Sequence, residues 1–333
     1  MNIINYKSLL NYNTFKIDVT ADFFSSIKSE SDLHELLDNK QIKKKKKFII
    51  GGGSNILLTK NINGLIIHNQ IKGIQIIKES DKKIEIEVGG GEVWDDVVKW
   101  STENNFYGIE NLSLIPGLMG AAPIQNIGAY GCELKDSFQK LEAINLKTTE
   151  KIIFHKSDCF FGYRDSIFKH ELKNKFIITK VYLKLMKFKN ININYQALKD
   201  KIQSDNINSQ NIREIIINIR NSKLPDTKKI GNAGSFFKNP IINKKQLERL
   251  KQEYPKIPVF QDTIIKIPAA WLIEKLNWKG YKNKNCGVFN KHALIIVNHN
   301  NATGKEIVNL AKKIKYSVYK KFDILLEEEV TII

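Results

Sequence analysis

The segment that most limits what this chain can become is NLSLIPGLMGAAPIQNIGAYG, Asn111 to Gly131. Small residues dominate it, Pro116 and Pro123 fix φ, and no strand or helix period runs through it. A loop of this kind cannot pack by itself. It reads as a surface shaped around a flat, extended ligand whose phosphates and ring edges meet backbone groups. The amides of Gln125 and Asn126 add donors and acceptors. A second stretch, FIIGGGSNILL, sets Gly51, Gly52 and Gly53 ahead of Ser54 and Asn55, between two apolar strand-like runs. Glycine permits positive φ and close backbone approach, so this turn is either an anion-binding nest or a tight hairpin. Two such surfaces suggest a dinucleotide lying across both. The G-x-G-x-x-G fingerprint and the lysine-bearing phosphate loop are absent. A third glycine turn, EVGGGEVWDD, leads into a helix and reads as structural.

Short β-branched runs alternate with amphipathic segments, which predicts mixed α and β structure. KFIIGGG, GLIIHN, KIEIEVGGG, KFIITKVYLKLMKF, HALIIVN and DILLEEEVTII read as strands. SDLHELLDN, EVWDDVVKWSTENN, REIIINIRNSK, NKKQLERLKQEY, PAAWLIEKLN and GKEIVNLAKKIKYSVYKKF read as helices. Seams near Asn69–Gly73 and Asn221–Lys229 predict lobes over 1–72, 73–222 and 223–321. The closing strand, 322–333, is expected to return to the first lobe, because a lone strand cannot satisfy its own backbone.

The formal charge of +18 admits a nucleic-acid binder. The lysines, however, are scattered and mixed with asparagines and isoleucines. All three have AT-rich codons, so codon drift explains them together, whereas selection for nucleic acid explains only lysine. KKKKK at Lys43–Lys47 has no interleaved aromatics and reads as a solvated loop. No nucleic-acid partner is expected, although the positive field would attract small anions. No apolar run approaches the roughly 20 residues a membrane helix needs, and no secretory signal layout opens the chain. A cytoplasmic protein without membrane insertion is expected. Cys132, Cys159 and Cys286 are sparse and widely spaced, which reads as reduced thiols and indicates no metal site.

Three further stretches carry chemistry. GNAGSFFKNP sets one hydroxyl, Ser235, between small residues and two phenylalanines, without the elbow that exposes a hydrolase nucleophile. CFFGYRDSIFK embeds Arg164 among aromatics, either paired with Asp165 or reserved for an anionic ligand. LLEEEVTII reads by itself as solvated acids on an edge strand, with Glu329 on the face of Leu325, Thr331 and Ile333.

Taken in order, NTFKI, GGGSNILL, IPGLMGAAPIQNIGAYG, FGYRDSIF, RNSKLPD, GNAGSFFKNP, PAAWLIE and LEEEV span nearly the whole chain. In this, the sequence resembles the UDP-N-acetylenolpyruvoylglucosamine reductase family, type I form. The resemblance implies an α+β, three-lobed flavoprotein: an FAD-binding domain of the vanillyl-alcohol-oxidase (PCMH) type, plus a C-terminal substrate-binding lobe. It implies non-covalent FAD, NADPH as co-substrate, and UDP-N-acetylglucosamine enolpyruvate as the small-molecule substrate of a monomer. It assigns cofactor contacts to Gly51, Gly52, Gly53, Ser54, Asn55, Ile115, Pro116, Gly117, Gly120, Ala121, Ala122, Gln125, Asn126, Gly128, Ala129, Tyr130 and Ile178. Ser235 matches the family's proton donor, with Lys223 and Lys238 as candidates to stabilise its alkoxide. Arg164 and Glu329 match the pair that binds the substrate carboxylate and stabilises the enolate-like intermediate. Tyr195 matches the tyrosine that covers the uridine diphosphate, and Lys223 and Asn239 match substrate contacts. Three positions depart from the family pattern: Glu328 where proline is usual, Thr331 where a basic residue is common, and His292 where some members carry glutamine.

Overall fold

The computed structural model describes residues 2–202, 207–261 and 264–333. The chain divides into two compact units, one of Met1–Lys7, Thr20–Gly52 and Ile62–Ser222, the other of Ser8–Val19, Gly53–Asn61 and Lys223–Ile333. These units do not follow the three sequence lobes one for one, because 8–19 and 53–61 group with 223–333. The physical link is backbone bonding: Thr14 N–H donates to the Gly53 carbonyl at 3.1 Å, and Asn232 N–H to the Thr14 carbonyl at 3.0 Å.

In the first unit, β-branched runs build two sheets. β1 (Ile4–Ser8), β2 (Thr20–Ile27), β3 (Lys47–Ile50) and β4 (Ile62–Asn69) lie in the order β1-β2-β4-β3. β4 runs parallel to both neighbours, with Phe24 opposite Ile66 and Ile49 opposite Ile67. Parallel strands need a crossover, and α1 (Glu30–Asp38) supplies it. Ser29 and Asp32 cap its first turn reciprocally, and Leu33, Leu36 and Leu37 pack onto Ile27, Leu65 and Ile67.

The second sheet is antiparallel. β5 (Ile74–Glu79), β6 (Lys83–Gly89), β7 (Phe138–Asn145), β8 (Lys151–His155) and β9 (Phe176–Met186) take the order β8-β7-β9-β6-β5. α2 (Trp94–Glu103) sets Trp94, Val97 and Val98 into its core, with the Trp94 indole N–H donating to the Leu112 carbonyl at 2.9 Å. The 111–131 segment is not a bare loop. A 3₁₀ helix over Met119–Gln125 places Met119 and Ala122 in the same core and also buries Pro123. α3 (Ser209–Lys223) packs Ile212 and Ile216 on Leu198.

In the second unit, α4 (Lys244–Glu253), α5 (Ala269–Lys275) and α6 (Gly304–Phe322) accompany short strand pairs. The Thr303–Glu306 capping box starts α6, and left-handed Asp323 (φ 56°) ends it. Its buried stripe is Ile307, Leu310, Ile314, Val318 and Phe322. Phe236 is stacked edge-on between Phe15 and Phe237 at 6.3 and 5.1 Å. The closing run forms a ladder only at Thr331–Ile332, parallel to Ile56–Leu57. Upstream of it the chain is extended and bonds instead to the 236–238 segment.

Candidate functional site

In the first unit the two glycine stretches lie against each other. A Cβ on Gly52 would stand 3.2 Å from the Gly117 Cα, and one on Gly51 would touch Leu118 and Ala121 at 3.5 and 3.6 Å. Gly120 is more confined than these two, since a Cβ there would meet the carbonyls of Ile178 at 2.9 Å and Gly90 at 3.0 Å. The Gly117 carbonyl accepts from Trp94 N–H and the Gly90 carbonyl from Gly120 N–H, which fixes the floor of this surface. Gly52, Pro116 and Ala121 are exposed on it, with Ile115 and Gly117 half-buried and Ala122 and Ile178 buried beneath. The result is a shallow cradle of bare backbone, the surface a flat dinucleotide requires. The third glycine turn is structural: a Cβ on Gly90 would stand 2.3 Å from the Ile178 carbonyl oxygen.

Downstream, the same segment becomes a scaffold. Asn126 is left-handed (φ 44°) and fully buried, and its amide donates to Glu133 Oε2 and the Gly162 carbonyl, both at 3.0 Å. Lys135 N–H donates to its Oδ1 at 3.0 Å. The side chain is thus engaged inside the protein. Gly128 makes room for Arg164, whose Nη2 donates to the Gly128 carbonyl. A Cβ on Gly128 would sit 2.7 Å from Nη1. Asp165, the alternative partner for Arg164, is instead bound by His170 Nε2 at 2.8 and 2.9 Å. Gly128 and Ala129 form one half of a two-residue hairpin that turns through left-handed Tyr130. The Tyr130 ring meets Tyr195 edge-on at 5.4 Å.

Sequence reasoning missed Arg220. It lies on α3 in a pattern that reads as an ordinary amphipathic helix, yet its Nε is buried with no hydrogen-bond partner among the described residues. The guanidinium bonds the Tyr130 hydroxyl, and Arg164 is within electrostatic range. Burial pushes the Arg220 pKa down and the Tyr130 phenol up. The nearby carboxylate, Asp95, is taken by Arg213 through two bonds of 2.6 and 2.8 Å. Arg164 and Arg220 thus bring two guanidinium groups within electrostatic range of each other in this part of the unit.

In the second unit, Ser235 sits in an extended strand between two others. It bridges to Ile295, Phe236 N–H donates to the Leu294 carbonyl at 2.8 Å, and Glu329 N–H donates to the Phe236 carbonyl at 2.9 Å. The approach to Ser235 is fixed by Asn232, whose Oδ1 accepts from Gly234 N–H at 3.0 Å, with Gly234 at φ +68°. The structure thus sets the segments that carry Ser235 and Glu329 side by side, joined through Phe236 and the Phe237–Glu328 bridge. Asn55 lies against the Glu329 segment: its amide donates to the Glu329 carbonyl at 3.1 Å, and its own carbonyl accepts from Thr331 N–H at 3.0 Å. Gly53 is buried where a Cβ would strike the Tyr12 carbonyl at 2.0 Å, and half-buried Ser54 follows it. Asn239 caps α5, accepting from Ala269 N–H at 2.9 Å. Lys223 is exposed. Lys238 is paired with Glu327 at 2.5 Å, so its charge is already balanced. His292 is a mostly buried imidazole whose pKa burial lowers, with Lys223 and Lys279 adding to the effect.

Known proteins match this arrangement over its whole length. Residues 21–151 match the family described as FAD binding domain, and 225–333 the family described as UDP-N-acetylenolpyruvoylglucosamine reductase, C-terminal domain. The UDP-N-acetylenolpyruvoylglucosamine reductase of Flavobacterium johnsoniae is 46% identical over 100% of both chains. The crystal structure of UDP-N-acetylenolpyruvylglucosamine reductase from Thermus caldophilus superposes with a TM-score of 0.69 at 19% identity, covering 99% of this chain and 98% of that one. The oxidase of 6-hydroxy-D-nicotine from Arthrobacter nicotinovorans superposes at 0.55 with 10% identity, over 97% and 86% of the two chains, and shows the fold alone.

Proposed function

The chain belongs to the UDP-N-acetylenolpyruvoylglucosamine reductase family, and from that premise we infer how its own residues divide the work of the family's reaction. The protein is an FAD-dependent oxidoreductase of the α+β, PCMH-type fold, and it uses NADPH to reduce UDP-N-acetylglucosamine enolpyruvate to UDP-N-acetylmuramate in peptidoglycan precursor synthesis. The full-length identity of 46% carries this reading. The close backbone approach of Gly51–Gly52 to Gly117–Ala121 fits the cofactor, because it leaves an exposed edge of backbone at Gly52, Pro116 and Ala121 against which a flat ring system can lie. When bound, FAD supplies the redox chemistry, taking hydride from NADPH and passing it to the terminal carbon of the enolpyruvyl alkene.

The remaining steps fall to side chains. Hydride addition puts negative charge on the carbon next to the substrate carboxylate and delocalises it into that carboxylate. Arg164 is assigned to this group, since a planar guanidinium already fixed on the Gly128 carbonyl binds a carboxylate without reorganisation. Ser235 gives its hydroxyl proton to the carbanionic carbon, which completes addition of hydride and proton across the double bond. Glu329 assists the same centre as the neutral acid, whose O–H can donate a hydrogen bond that an ionised carboxylate cannot. Ile115, Pro116, Gly120, Gln125, Tyr130 and Ile178 are assigned to the cofactor, and Tyr195, Lys223 and Asn239 to the nucleotide. Among the described residues, no helix is long and apolar enough to cross a membrane; we place the reaction in the cytoplasm on the ground that it belongs to peptidoglycan precursor synthesis.

An anaerobic absorbance experiment tests the whole reading. The flavin band should bleach with NADPH and return on adding the enolpyruvyl nucleotide. Return only on admitting oxygen would identify an oxidase of the same fold instead.

A further inference from the structure

Three consecutive carboxylates, Glu327, Glu328 and Glu329, precede the chain's last strand, and only one of them is assigned to the reaction. Pairing with the 236–238 segment does not by itself distinguish them, because each offers the same N–H and C=O; beyond it, the Asn55 amide holds the Glu329 carbonyl at 3.1 Å and Thr331–Ile332 pair with Ile56–Leu57. A one-residue slip would turn every side chain to the opposite face, and a two-residue slip would put Glu327 in the place of Glu329. The ladder in force joins Lys238 N–H to the Glu327 carbonyl and Glu329 N–H to the Phe236 carbonyl, each at 2.9 Å.

Side chains supply what that pairing lacks. Lys238 takes Glu327 at 2.5 Å. Lys315, on α6, takes both oxygens of Glu328 at 2.8 Å. Glu328 lies two residues from each of Leu326 and Val330, which are 2% and 3% exposed. Its own side chain has three-quarters of its surface covered. A carboxylate so placed needs a cation, and without one it would swing to water and carry the adjoining residue with it.

We propose that Lys315 is a positioning residue for the reduction of the enolpyruvyl group, acting through Glu328 to hold Glu329 in register beside the Ser235 strand. The proposal rests on the assignment of Glu329 made above. Misplacing a group by ~1 Å can slow a reaction by about two orders of magnitude, so removing the lock should be visible in the chemical step.

The test uses the FAD-loaded enzyme and separates its half-reactions by anaerobic stopped flow. In Lys315→Met, reoxidation by the enolpyruvyl nucleotide should slow about tenfold or more, with reduction by NADPH essentially unchanged. Lys315→Arg should behave as the parent, and the charge reversal Lys315→Glu with Glu328→Lys should recover most of the rate. The proposal is overturned if Lys315→Met reoxidises at the parental rate. It is equally overturned if both half-reactions fall together with the melting temperature, or if the reversal recovers nothing. Glu329→Gln is the control that separates premise from proposal. Parental reoxidation in that variant would remove Glu329 from the reaction and leave nothing to position. A slow Glu329→Gln beside a normal Lys315→Met would sink the positioning role alone.

Discussion

A serine hydroxyl is a weak acid, so the role we propose for Ser235 makes sense only against a strongly basic acceptor such as the substrate carbanion. Ser235→Ala should consequently spare reduction by NADPH and slow reoxidation by the enolpyruvyl nucleotide by about 10²–10⁴-fold. Equal loss in both half-reactions would contradict that assignment. Ser235 could be singled out in the sequence because GNAGSFFKNP is a specific run with no periodic element to hide it, while the role proposed for it rests on the family resemblance. Arg220 could not be singled out, because an arginine at helical spacing reads as a solvated face. Its buried, unpartnered Nε becomes visible only when the helix is packed. An orphaned buried N–H destabilises the ligand-free protein and favours a bound acceptor. Arg220→Met should thus leave the apo protein's melting temperature equal or higher. Affinity for FAD, read by flavin fluorescence on titrating apoprotein, should fall about tenfold or more, as expected for a charge-assisted hydrogen bond. A destabilised apoprotein with unchanged affinity would make Arg220 merely structural.

At the level of elements, helices were the more readable part. α6 spans Gly304–Phe322, the run read from its periodicity, because a capping box and a left-handed residue mark both its ends locally. The closing run was read as a strand over 323–333 and is a ladder only at 331–332, since strand pairing depends on a partner the local sequence does not contain. The same limit hid the 3₁₀ helix in the glycine-rich segment, where Pro123 and small residues mask any period. Glycines that look alike in sequence also separate by what surrounds them. Gly90→Ala should destabilise the fold outright, its Cβ being driven 2.3 Å from the Ile178 carbonyl, whereas Gly52→Ala should fold and lose bound flavin. A melting curve and the flavin-to-protein absorbance ratio of each variant check the contrast. Between helices, Asp95 on α2 accepts Arg213 of α3. Burial raises the Asp95 pKa, but the Arg213 bonds and the Leu114 N–H outweigh it and hold the carboxyl below its usual range. A depressed carboxyl pKa gives stability that is present above the unfolded value, ~3.9, and lost as pH falls through the folded one. Asp95→Asn should be less stable at neutral pH, and the gap to the parent should narrow in melting curves taken at progressively lower pH below about 4.

For the molecule as a whole, the grouping of 8–19 and 53–61 with 223–333 lay beyond sequence reasoning, because it is written in contacts between distant residues such as Thr14 and Asn232. The net charge of +18, by contrast, is plain in the sequence and ambiguous in meaning. Family membership resolves that ambiguity only in part: the reaction needs no basic surface, yet its nucleotides are multiply charged anions. A diffuse positive field raises the encounter rate with such ligands by about 10-fold or more, and it acts over a Debye length of ~10 Å at 0.1 M salt and ~3 Å at 1 M. Screening it should slow capture and leave the chemical step alone. Raising ionic strength from about 0.02 to 0.5 M should accordingly lower kcat/KM for both NADPH and the enolpyruvyl nucleotide several-fold, with kcat nearly constant. Neutralising Lys43–Lys47, a run that faces solvent apart from Lys47, should blunt the salt dependence only in proportion to the charge removed. If kcat fell with salt as steeply as kcat/KM, the added ions would be acting on residues that touch the reacting groups. The general field would then be irrelevant to catalysis. A kcat/KM indifferent to salt would mean that the lysines accumulated without consequence for substrate capture, which is what codon drift alone predicts.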